Sequence, residues 1–567
     1  MNSVPDARDE EGRPRTAAGL LVGGLVAEGC EFVFSVPGEE IMDILDVLAD
    51  EPGIRHISTR HEQGAAFMAD VYGRLTGRAA VAMATLGPGA TNLITGVADA
   101  YLDRAPMVVF TGQAGSERLH KESHQLIDVV ELFRPITKWS RRVERIDAVP
   151  EMVRKAFRLA QLEKPGPTHI EIPENRAQMP PESGAWTRPL TPRPTYFPVP
   201  PEEAIEHAAE LLRGAERPII LAGNGVLRRR ASKQLRDLAH AVAAPVAVTF
   251  MGKGAIDDRD ELSLMAVGLQ ARDHVLSGFD RADLVVCVGY DLVEYAPERW
   301  NPERRHRIVA IDTQPAEVDA AYQPEVELVG EIGDILERLR LATAGQVPDR
   351  PETPEHLAWR GELLGELRAH EADAGWPIKP QKALVDLRRA LGPSDIVVCD
   401  VGAHKTWTAR LFQTYEPNTV IISNGLAAMG IGLPGAIAAS LVHPDRRVVA
   451  LTGDGGFLMN SQELETAKRV AAKVTVVVWR DDGYGLIGWK QQGEFGRPFG
   501  VSFGNPDLVA YAESFGIPGF RPASAADLYP VLMRALQVDG PSVVDVPIDY
   551  AENVRLTERL GALTARS

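Results

Sequence analysis

Residues 448–460, VVALTGDGGFLMN, decide the fold prediction for this chain. The apolar run predicts a buried strand, the turn Gly453-Asp454-Gly455-Gly456 follows it, and NSQELETAKRV has a helical pattern. A glycine-rich turn at a helix start lets backbone N–H groups approach an anion such as a phosphate. A lone carboxylate there would repel that phosphate unless a hard cation such as Mg²⁺ lay between them. The stretch therefore predicts a metal–phosphate site at a strand end.

Length, charge and cysteine content narrow the class of protein. With 567 residues the chain is too long for one core and should form about three or four domains. Its net charge is −17 and it has no basic tract, which argues against binding to nucleic acid or to an acidic membrane surface. No apolar run reaches the roughly 18 residues of a membrane span. Three scattered cysteines, Cys30, Cys287 and Cys399, lack a disulfide or metal pattern, so a cytoplasmic location is expected.

Two proline-rich stretches, Pro173 to Pro201 and about Ala344 to Pro380, divide the chain into three segments. Each segment alternates short apolar runs with helical patterns, which indicates parallel sheets covered on both faces. We therefore expect an α/β protein with three doubly wound parallel-sheet domains. The expected layout is a disordered tail (1–14), a first domain (15–178), a linker (179–202), a central domain (203–343), a linker (344–380), a third domain (381–555) and a C-terminal tail (556–567).

The strand predictions rest on continuous apolar runs. The predicted strands are 81–85, 107–112 and 169–172 in the first segment, 218–223, 245–250, 284–289 and 307–312 in the second, and 396–402, 419–424, 448–453, 474–479 and 542–547 in the third. VAMATLGPGATN (81–92) resembles VVALTGDGGFLMN, and both predict strand, glycine-rich turn and helix. This internal echo indicates that the first and third domains are related.

A second ligand for the cation is expected on the next strand. VTVVVWRDDGYG (474–485) places Asp481 at the carboxyl end of that strand, beside the end that carries Asp454. Gly483 could add a backbone carbonyl, and two phosphate oxygens would nearly complete the octahedral shell that Mg²⁺ prefers. Asp454, Asp481 and Gly483 are therefore the predicted metal ligands.

At this point the chain resembles the thiamine diphosphate (ThDP) enzymes, whose signature is Gly-Asp-Gly followed, roughly 25–30 residues later, by a polar residue that ends a strand. The resemblance implies a glutamate in the first domain that hydrogen-bonds the aminopyrimidine ring of ThDP and so activates the cofactor. In ISTRHEQGAAFMADVYGRLTG (57–77) Glu62 stands in that place, and LGPGATN (86–92) follows at the family's distance.

The resemblance also implies further site residues. Gln125 and His124, from SHQLIDVVELFRPITKWS, would lie near the substrate, and Met429 would force the two rings of ThDP into a V shape. Because the substrates would be anions, a cationic residue near the pocket would help, and Lys121 and Lys490 are the candidates, with the solvated surface as the alternative for either lysine. The residues expected to bind the cofactor are Val401, Gly402, Ala403, His404, Ala427, Met429, Gly453, Asp454, Gly455, Gly456, Asp481, Gly483, Tyr484 and Gly485.

The chain is most similar to the catabolic, flavin-independent acetolactate synthases over about residues 15–555. GYDLVEY (289–295) stands where flavin-containing relatives usually have an Arg-Phe-Asp-Asp-type stretch, so FAD is not expected, although GNG (223–225) is a weak dinucleotide signal. The implied reaction decarboxylates one pyruvate to a hydroxyethyl carbanion/enamine on ThDP and adds it to a second pyruvate, giving 2-acetolactate and CO₂. The implied assembly is a homodimer or homotetramer with the active site at the subunit interface.

Other activities on the same scaffold stay open at this stage. They include a carboligase or decarboxylase with a different acceptor, similar to sulfoacetaldehyde acetyltransferase or to carboxyethylarginine synthase. Lys490, in GLIGWKQQ, stands where similar chains often carry glutamine, which leaves the acceptor and the roles of Lys490 and Trp489 open. An NAD-dependent oxidoreductase would need Gly-x-Gly-x-x-Gly at its first strand–helix turn, which the chain lacks. A non-catalytic homologue would be expected to lack Glu62, Asp454 or Asp481.

Overall fold

The computed structural model describes residues 16–182, 187–268, 276–345 and 354–553. The predicted tails, 1–14 and 556–567, lie outside the described residues. The chain forms two compact units. Unit 1 contains the chain up to Thr195 together with 434–442 and 460–472, and unit 2 contains 196–433, 443–459 and the chain from Lys473 onward. The exact domain boundaries proposed from the sequence stay a prediction.

Unit 1 holds the first of three six-stranded sheets. Its strand order is β2-β1-β3-β4-β6-β5, and every neighbouring pair is parallel. The central strands β3, β4 and β6 are buried along their whole length, because helices cover both faces of a parallel sheet. The strands are β1 Phe32–Ser35, β2 Arg55–Ser58, β3 Ala80–Ala84, β4 Met107–Gln113, β5 Ser140–Arg142 and β6 Pro167–Pro173.

Unit 2 holds the other two parallel sheets. The last sheet has the order β14-β13-β15-β16-β18-β17, which repeats the order of the first sheet strand for strand. The same strand order confirms that the first and third sheets are related, as the similarity of residues 81–92 to residues 448–460 indicated. Its strands are β13 Ile396–Cys399, β14 Val420–Ile422, β15 Val448–Gly453, β16 Val474–Arg480, β17 Gly519–Phe520 and β18 Ser542–Pro547.

The central sheet has a different order, β12-β11-β10-β7-β8-β9. Counted within this sheet, that is the order 6-5-4-1-2-3, the arrangement common to dinucleotide-binding folds. Its strands are β7 Pro218–Ala222, β8 Val246–Val248, β9 Ser263–Ala266, β10 Leu284–Val288, β11 Arg307–Asp312 and β12 Val326–Val329. Three parallel six-stranded sheets with flanking helices confirm the predicted fold class.

The helices connect successive strands. They are α1 Ala17–Ala27, α2 Met42–Ala49, α3 Glu62–Thr76, α4 Pro88–Leu102, α5 Val129–Phe133, α6 Val149–Gln161, α7 Glu174–Ala177, α8 Glu202–Gly214, α9 Asn224–Arg228, α10 Ser232–Ala241, α11 Leu276–Arg281, α12 Pro297–Trp300, α13 Ile332–Thr343, α14 Pro354–Ala369, α15 Pro380–Ala390, α16 Ala403–Leu411, α17 Gly432–Val442, α18 Asp454–Asn460, α19 Glu463–Arg469, α20 Gly485–Phe495, α21 Leu508–Ser514 and α22 Leu528–Ala535. The second predicted linker therefore contains a helix, α14. Within the described ranges, no helix is long and apolar enough to cross a membrane.

Candidate active site

Asp454 lies where the sequence predicts, at the carboxyl end of β15 and the start of α18, and its side chain is buried. Its Oδ1 accepts a hydrogen bond from the N–H of Gly455 at 2.8 Å. Its Oδ2 accepts from the N–H of Asp482 at 2.8 Å, from the N–H of Asp481 at 3.3 Å and from Nδ2 of Asn505 at 2.8 Å. These donors fix the carboxylate in one orientation at the strand end.

The adjacent strand brings two more carboxylates to the same edge. β15 and β16 pair so that Gly453 is opposite Trp479, and Asp481 follows the end of β16 directly. Burial, together with the charges of Asp454 and Asp482, raises the pKa of Asp481 to about 7. Burial also raises the pKa of Asp454, against the effect of its hydrogen bonds. Converging, partly desolvated carboxylates are a favourable environment for a divalent cation.

The turn after Asp481 is held by a short segment of the chain. Gly483 forms a β-bridge with Ser502, and the N–H of Tyr484 donates to the carbonyl of Val501 at 2.8 Å. In the part of the chain that the structure describes, no three His, Cys, Asp or Glu side chains form a metal cluster. The predicted ligand set, two carboxylates and one backbone carbonyl, stays a prediction.

Asn505 is a residue of this site that the sequence reasoning missed. Its Nδ2 donates to Asp454 at 2.8 Å and to Oδ1 of Asp482 at 2.7 Å, while its Oδ1 is buried without a hydrogen-bond partner among the described residues. Asn505 therefore ties the two strand ends together. The only sequence signal was an amide residue shortly before α21, which begins at Leu508 after its N-cap Asp507.

A second carboxylate, Asp400, organises the loop after β13 and was also missed. It is buried, and it accepts hydrogen bonds from the N–H of Val401 at 2.6 Å and of Gly430 at 2.9 Å, and from Oγ1 of Thr452 at 3.2 Å. A Cβ on Gly456 would lie 3.0 Å from its Oδ2. Asp400 thus joins three predicted cofactor segments, and a carboxylate at the end of a buried strand (CDVG) was the signal that could have found it.

His404 lies in the predicted diphosphate loop, in the first turn of α16. Its ring packs over two glycine turns, since a Cβ on Gly402 would lie 2.9 Å from its Cε1 and a Cβ on Gly453 would lie 3.2 Å from it. Burial lowers the pKa of His404 to about 3, so the imidazole is neutral. Its Nε2 is buried and has no hydrogen-bond partner among the described residues. A cradle of glycine turns at the start of α16 fits an anionic ligand with several oxygen atoms.

The predicted segment beneath the cofactor is partly accessible. Ala427 has a φ of 57°, a left-handed conformation that is uncommon for a residue other than glycine and is often found at ligand sites. The N–H of Ala428 donates to Oγ of Ser423 at 3.2 Å, which fixes this turn. Ala427 and Met429 are half-buried, and Leu426 is 38% exposed.

In unit 1, Glu62 begins α3. The side chain of His61 caps the helix by accepting from the N–H of Gln63 at 3.0 Å. Glu62 is 8% exposed, and its Oε2 accepts from Nδ2 of Asn92 at 3.0 Å. Asn92 ends the LGPGATN motif, and a Cβ on Gly89 in the same motif would lie 3.4 Å from the other carboxylate oxygen. The motif therefore leaves space for the glutamate and holds it.

The start of α3 is anchored by Glu463, which belongs to unit 1 although it follows Asp454 closely in sequence. Glu463 is fully buried, and its Oε1 accepts from the N–H of Arg60 at 3.0 Å and of His61 at 3.1 Å. Burial raises its pKa to about 7. The sequence reasoning missed this residue; its only signal was an acid among the apolar positions of a helical pattern.

The predicted substrate residues lie on one loop of unit 1. Lys121, His124 and Gln125 are exposed in this chain, and Gln125 has a φ of 58°. A Cβ on Gly87 would lie 2.6 Å from the carbonyl oxygen of Gln125, so this loop packs on the turn before α4. Gln113, which was not predicted, holds the far end of the loop by donating to the carbonyl of Ile127 at 3.0 Å.

Trp489 and Lys490 lie on α20, a helix with no buried residue. Its apolar side chains Ile487 and Phe495 are 48% and 68% exposed, and Phe499 beyond its end is 86% exposed. These residues form an accessible apolar surface of unit 2.

Comparison with known proteins identifies the family to which this chain belongs. The model of the thiamine pyrophosphate enzyme N-terminal TPP binding domain matches residues 15–132, that of the central domain matches 205–339, and that of the C-terminal TPP binding domain matches 400–546. Thiamine pyrophosphate is another name for ThDP. The acetolactate synthase of Bacillus subtilis (strain 168) is 36% identical over 562 residues, covering 95% of this chain and 94% of the relative. The chain belongs to the acetolactate synthase family of ThDP enzymes.

Two further relatives have the same character. The catabolic acetolactate synthase of Raoultella terrigena is 38% identical over 561 residues, covering 96% of this chain and 97% of the relative. A probable acetolactate synthase large subunit of Methanocaldococcus jannaschii is 34% identical over 567 residues, covering 96% and 94%. The similarity to ThDP enzymes of the acetolactate synthase type is thus confirmed over nearly the whole chain.

Proposed function

We propose that this protein is a ThDP- and Mg²⁺-dependent acetolactate synthase that joins two pyruvate molecules to give 2-acetolactate and CO₂. The observation that carries the proposal is that one ThDP-enzyme chain contains both groups that such a cofactor needs. One is Glu62, buried and bound to Asn92 at the start of α3. The other is the carboxylate pair at the ends of β15 and β16. ThDP, when bound, supplies a thiazolium carbon that adds to a keto group and accepts the electrons released with CO₂.

The residues of unit 2 fit the diphosphate and its cation. Asp454 and Asp481, with the carbonyl of Gly483, would hold Mg²⁺, whose charge would offset the burial and the carboxylate repulsion that raise the pKa of Asp481. His404 and the glycine turns around it would contact the diphosphate oxygens. Ala427 and Met429 would support the rings.

Glu62 would hold a proton at the cofactor. Asn92 fixes one oxygen of the Glu62 carboxylate, and the other oxygen would hydrogen-bond a ring nitrogen of the aminopyrimidine and orient that ring. Because Glu62 is 8% exposed, little bulk water reaches it to compete. Gln125, His124 and Lys121 would orient the anionic substrate from the loop beside Gly87.

We expect no FAD in the central domain, although its sheet has the strand order of dinucleotide-binding folds. Gly223 and Gly225 lie against the backbone of Gly289, where a Cβ on either glycine would collide. The N–H of Asn224 donates to both carboxylate oxygens of Glu294, at 3.1 and 3.0 Å. An internal carboxylate therefore occupies the helix start at which a dinucleotide phosphate would bind.

The assembly is proposed to be a homodimer or homotetramer, in which Glu62 of one chain and the Asp454–Asp481 pair of a second chain serve the same ThDP. The exposed apolar surface of α20, which includes Ile487 and Phe495, supports burial by a partner. A cytoplasmic location is supported by the three cysteines, which are all buried and unbridged.

The function is tested with purified protein, ThDP, Mg²⁺ and pyruvate, followed by product analysis. Acetolactate formation that needs both cofactors supports the proposal. Parallel reactions offer pyruvate with a second carbonyl acceptor, or sulfoacetaldehyde with phosphate. A protein that turns over only in those reactions would be a different ThDP enzyme, and the proposed pair of substrates would be wrong.

A further inference from the structure

We propose that Tyr550 is an additional ligand of the cofactor's diphosphate, donating a hydrogen bond from its hydroxyl to a phosphate oxygen. This inference rests on the proposed function of the Asp454–Asp481 edge. Tyr550 begins a 3₁₀ turn, Tyr550–Glu552, shortly after β18. β18 pairs with β16, with Pro547 opposite Arg480, so this turn emerges at the sheet edge that carries Asp481.

The surroundings of Tyr550 fix its ring in this edge. The ring lies 6.3 Å, centroid to centroid, from the buried ring of Trp479 at the end of β16. A Cβ on Gly485 would lie 3.3 Å from its Cδ2, so Gly485 leaves the space that the ring fills. Part of the residue is accessible, whereas its hydroxyl oxygen is buried.

The hydroxyl proton of Tyr550 has no acceptor among the described residues. The backbone N–H of His404, in the first turn of α16, faces the hydroxyl oxygen, so its proton is what lacks an acceptor. Burial, followed by the charges of Asp481 and Asp454, raises the pKa of the hydroxyl well above its ordinary value, so it stays a donor. Buried hydroxyl groups without partners are uncommon in native proteins and destabilise them.

The ring Nε2 of His404 is a second buried polar atom at this edge that has no hydrogen-bond partner among the described residues. The phenol is the donor of the pair, because the neutral imidazole already donates its other ring N–H to the carbonyl of Asp400. A buried donor without an acceptor points to a ligand that brings acceptor oxygens. A diphosphate held by Mg²⁺ would have that chemistry, and the nine-residue helix α16, whose first turn contains His404, begins at this edge. Asp481 is not the acceptor in this structure, because no hydrogen bond joins its carboxylate to the phenol.

The test compares Tyr550→Phe with wild type and with Tyr529→Phe, a control on α22. Binding of ThDP, and separately of inorganic diphosphate, is titrated calorimetrically to apoenzyme at saturating Mg²⁺, and the apoenzymes are melted. We expect Tyr550→Phe to weaken both ligands by about tenfold, since a hydrogen bond to a charged group is lost. Its apoenzyme should melt close to the wild-type temperature or above it, because the proton of the lost hydroxyl had no acceptor.

Unchanged affinity of Tyr550→Phe for both ligands would overturn the assignment, as would a lower apoenzyme melting temperature with unchanged affinity. Weaker ThDP binding with normal diphosphate binding would also contradict it, because the hydroxyl would then act elsewhere on the cofactor. Wild-type protein that bound neither ligand would refute the proposed function itself, and this assignment with it.

Discussion

The replacement Glu463→Gln should change how the stability of the protein depends on pH. In the folded chain burial raises the pKa of Glu463 to about 7, against an ordinary value of 4.5. Between these pH values Glu463 keeps its proton in the folded protein but has lost it in the unfolded chain. The stability that this protonated group contributes is therefore fully present below pH 4.5 and is lost as the pH rises through 7. Glutamine has no ionisation cost and still accepts hydrogen bonds from Arg60 and His61.

The size of the effect follows from the shift. A pKa of about 7 in the folded protein, against 4.5 in the unfolded chain, corresponds to about 3 kcal/mol of unfolding free energy. Glu463 is fully buried, so solvent screening does not reduce that value. The unfolding free energy of Glu463→Gln, relative to that of wild type, should therefore rise by about 3 kcal/mol from acid to mildly alkaline pH. For a unit of this size that is a relative rise in melting temperature of about 6–12 °C.

The assay is scanning calorimetry of cofactor-free protein at several pH values from 5 to 8, at one protein concentration. The control is Glu465→Gln on the same helix, whose carboxylate is 36% exposed and pairs with Arg469; its difference from wild type should be small at every pH. If the difference in melting temperature between Glu463→Gln and wild type were constant across this pH range, ionisation of the buried carboxylate would not control stability. That result would refute the prediction.

The other predictions concern the proposed site. Glu62→Ala should fold and bind ThDP but lose turnover by at least about a hundredfold, because the proton-holding group is gone; near-normal acetolactate formation would contradict its role. Asp454→Ala and Asp481→Ala should weaken ThDP binding, measured by titration in Mg²⁺, because the cation shell is incomplete; wild-type affinity in both variants would put the metal elsewhere. Purified protein should show no flavin absorbance, and a stoichiometric yellow chromophore would refute the reading of Gly223–Gly225. Mixing Glu62→Ala with Asp481→Ala under subunit exchange should restore activity through one intact shared site; proven exchange without recovery would place the site within one chain.

The sequence predicted the long buried strands because helices on both faces of a parallel sheet leave only apolar positions in its central strands. All twelve apolar runs form strands. The structure adds strands that are short or polar, such as β2 (RHIS), β5 (SRR) and β17 (two residues). β5 and β17 lie at sheet edges, where one side has no pairing strand, so an apolar run is not required. Periodicity carries no signal for such segments.

For the site, the sequence could predict residues that a strand end positions directly. Asp454 and Asp481 end paired strands, so their proximity follows from topology. Asn505 and Tyr550 come from later segments whose approach to this edge depends on the packing of the whole domain. Glu463 was beyond prediction for a similar reason, since its partners Arg60 and His61 are about four hundred residues away in sequence.

The most direct test of the central claim supplies methyl-labelled pyruvate as the only carbon substrate and follows the products by NMR and CO₂ release. We predict that acetolactate carries label in both of its methyl groups, that one CO₂ is released per acetolactate, and that no product forms without ThDP and Mg²⁺. Release of CO₂ with acetaldehyde or acetate in place of acetolactate would contradict the account, because the second pyruvate would then not be the acceptor.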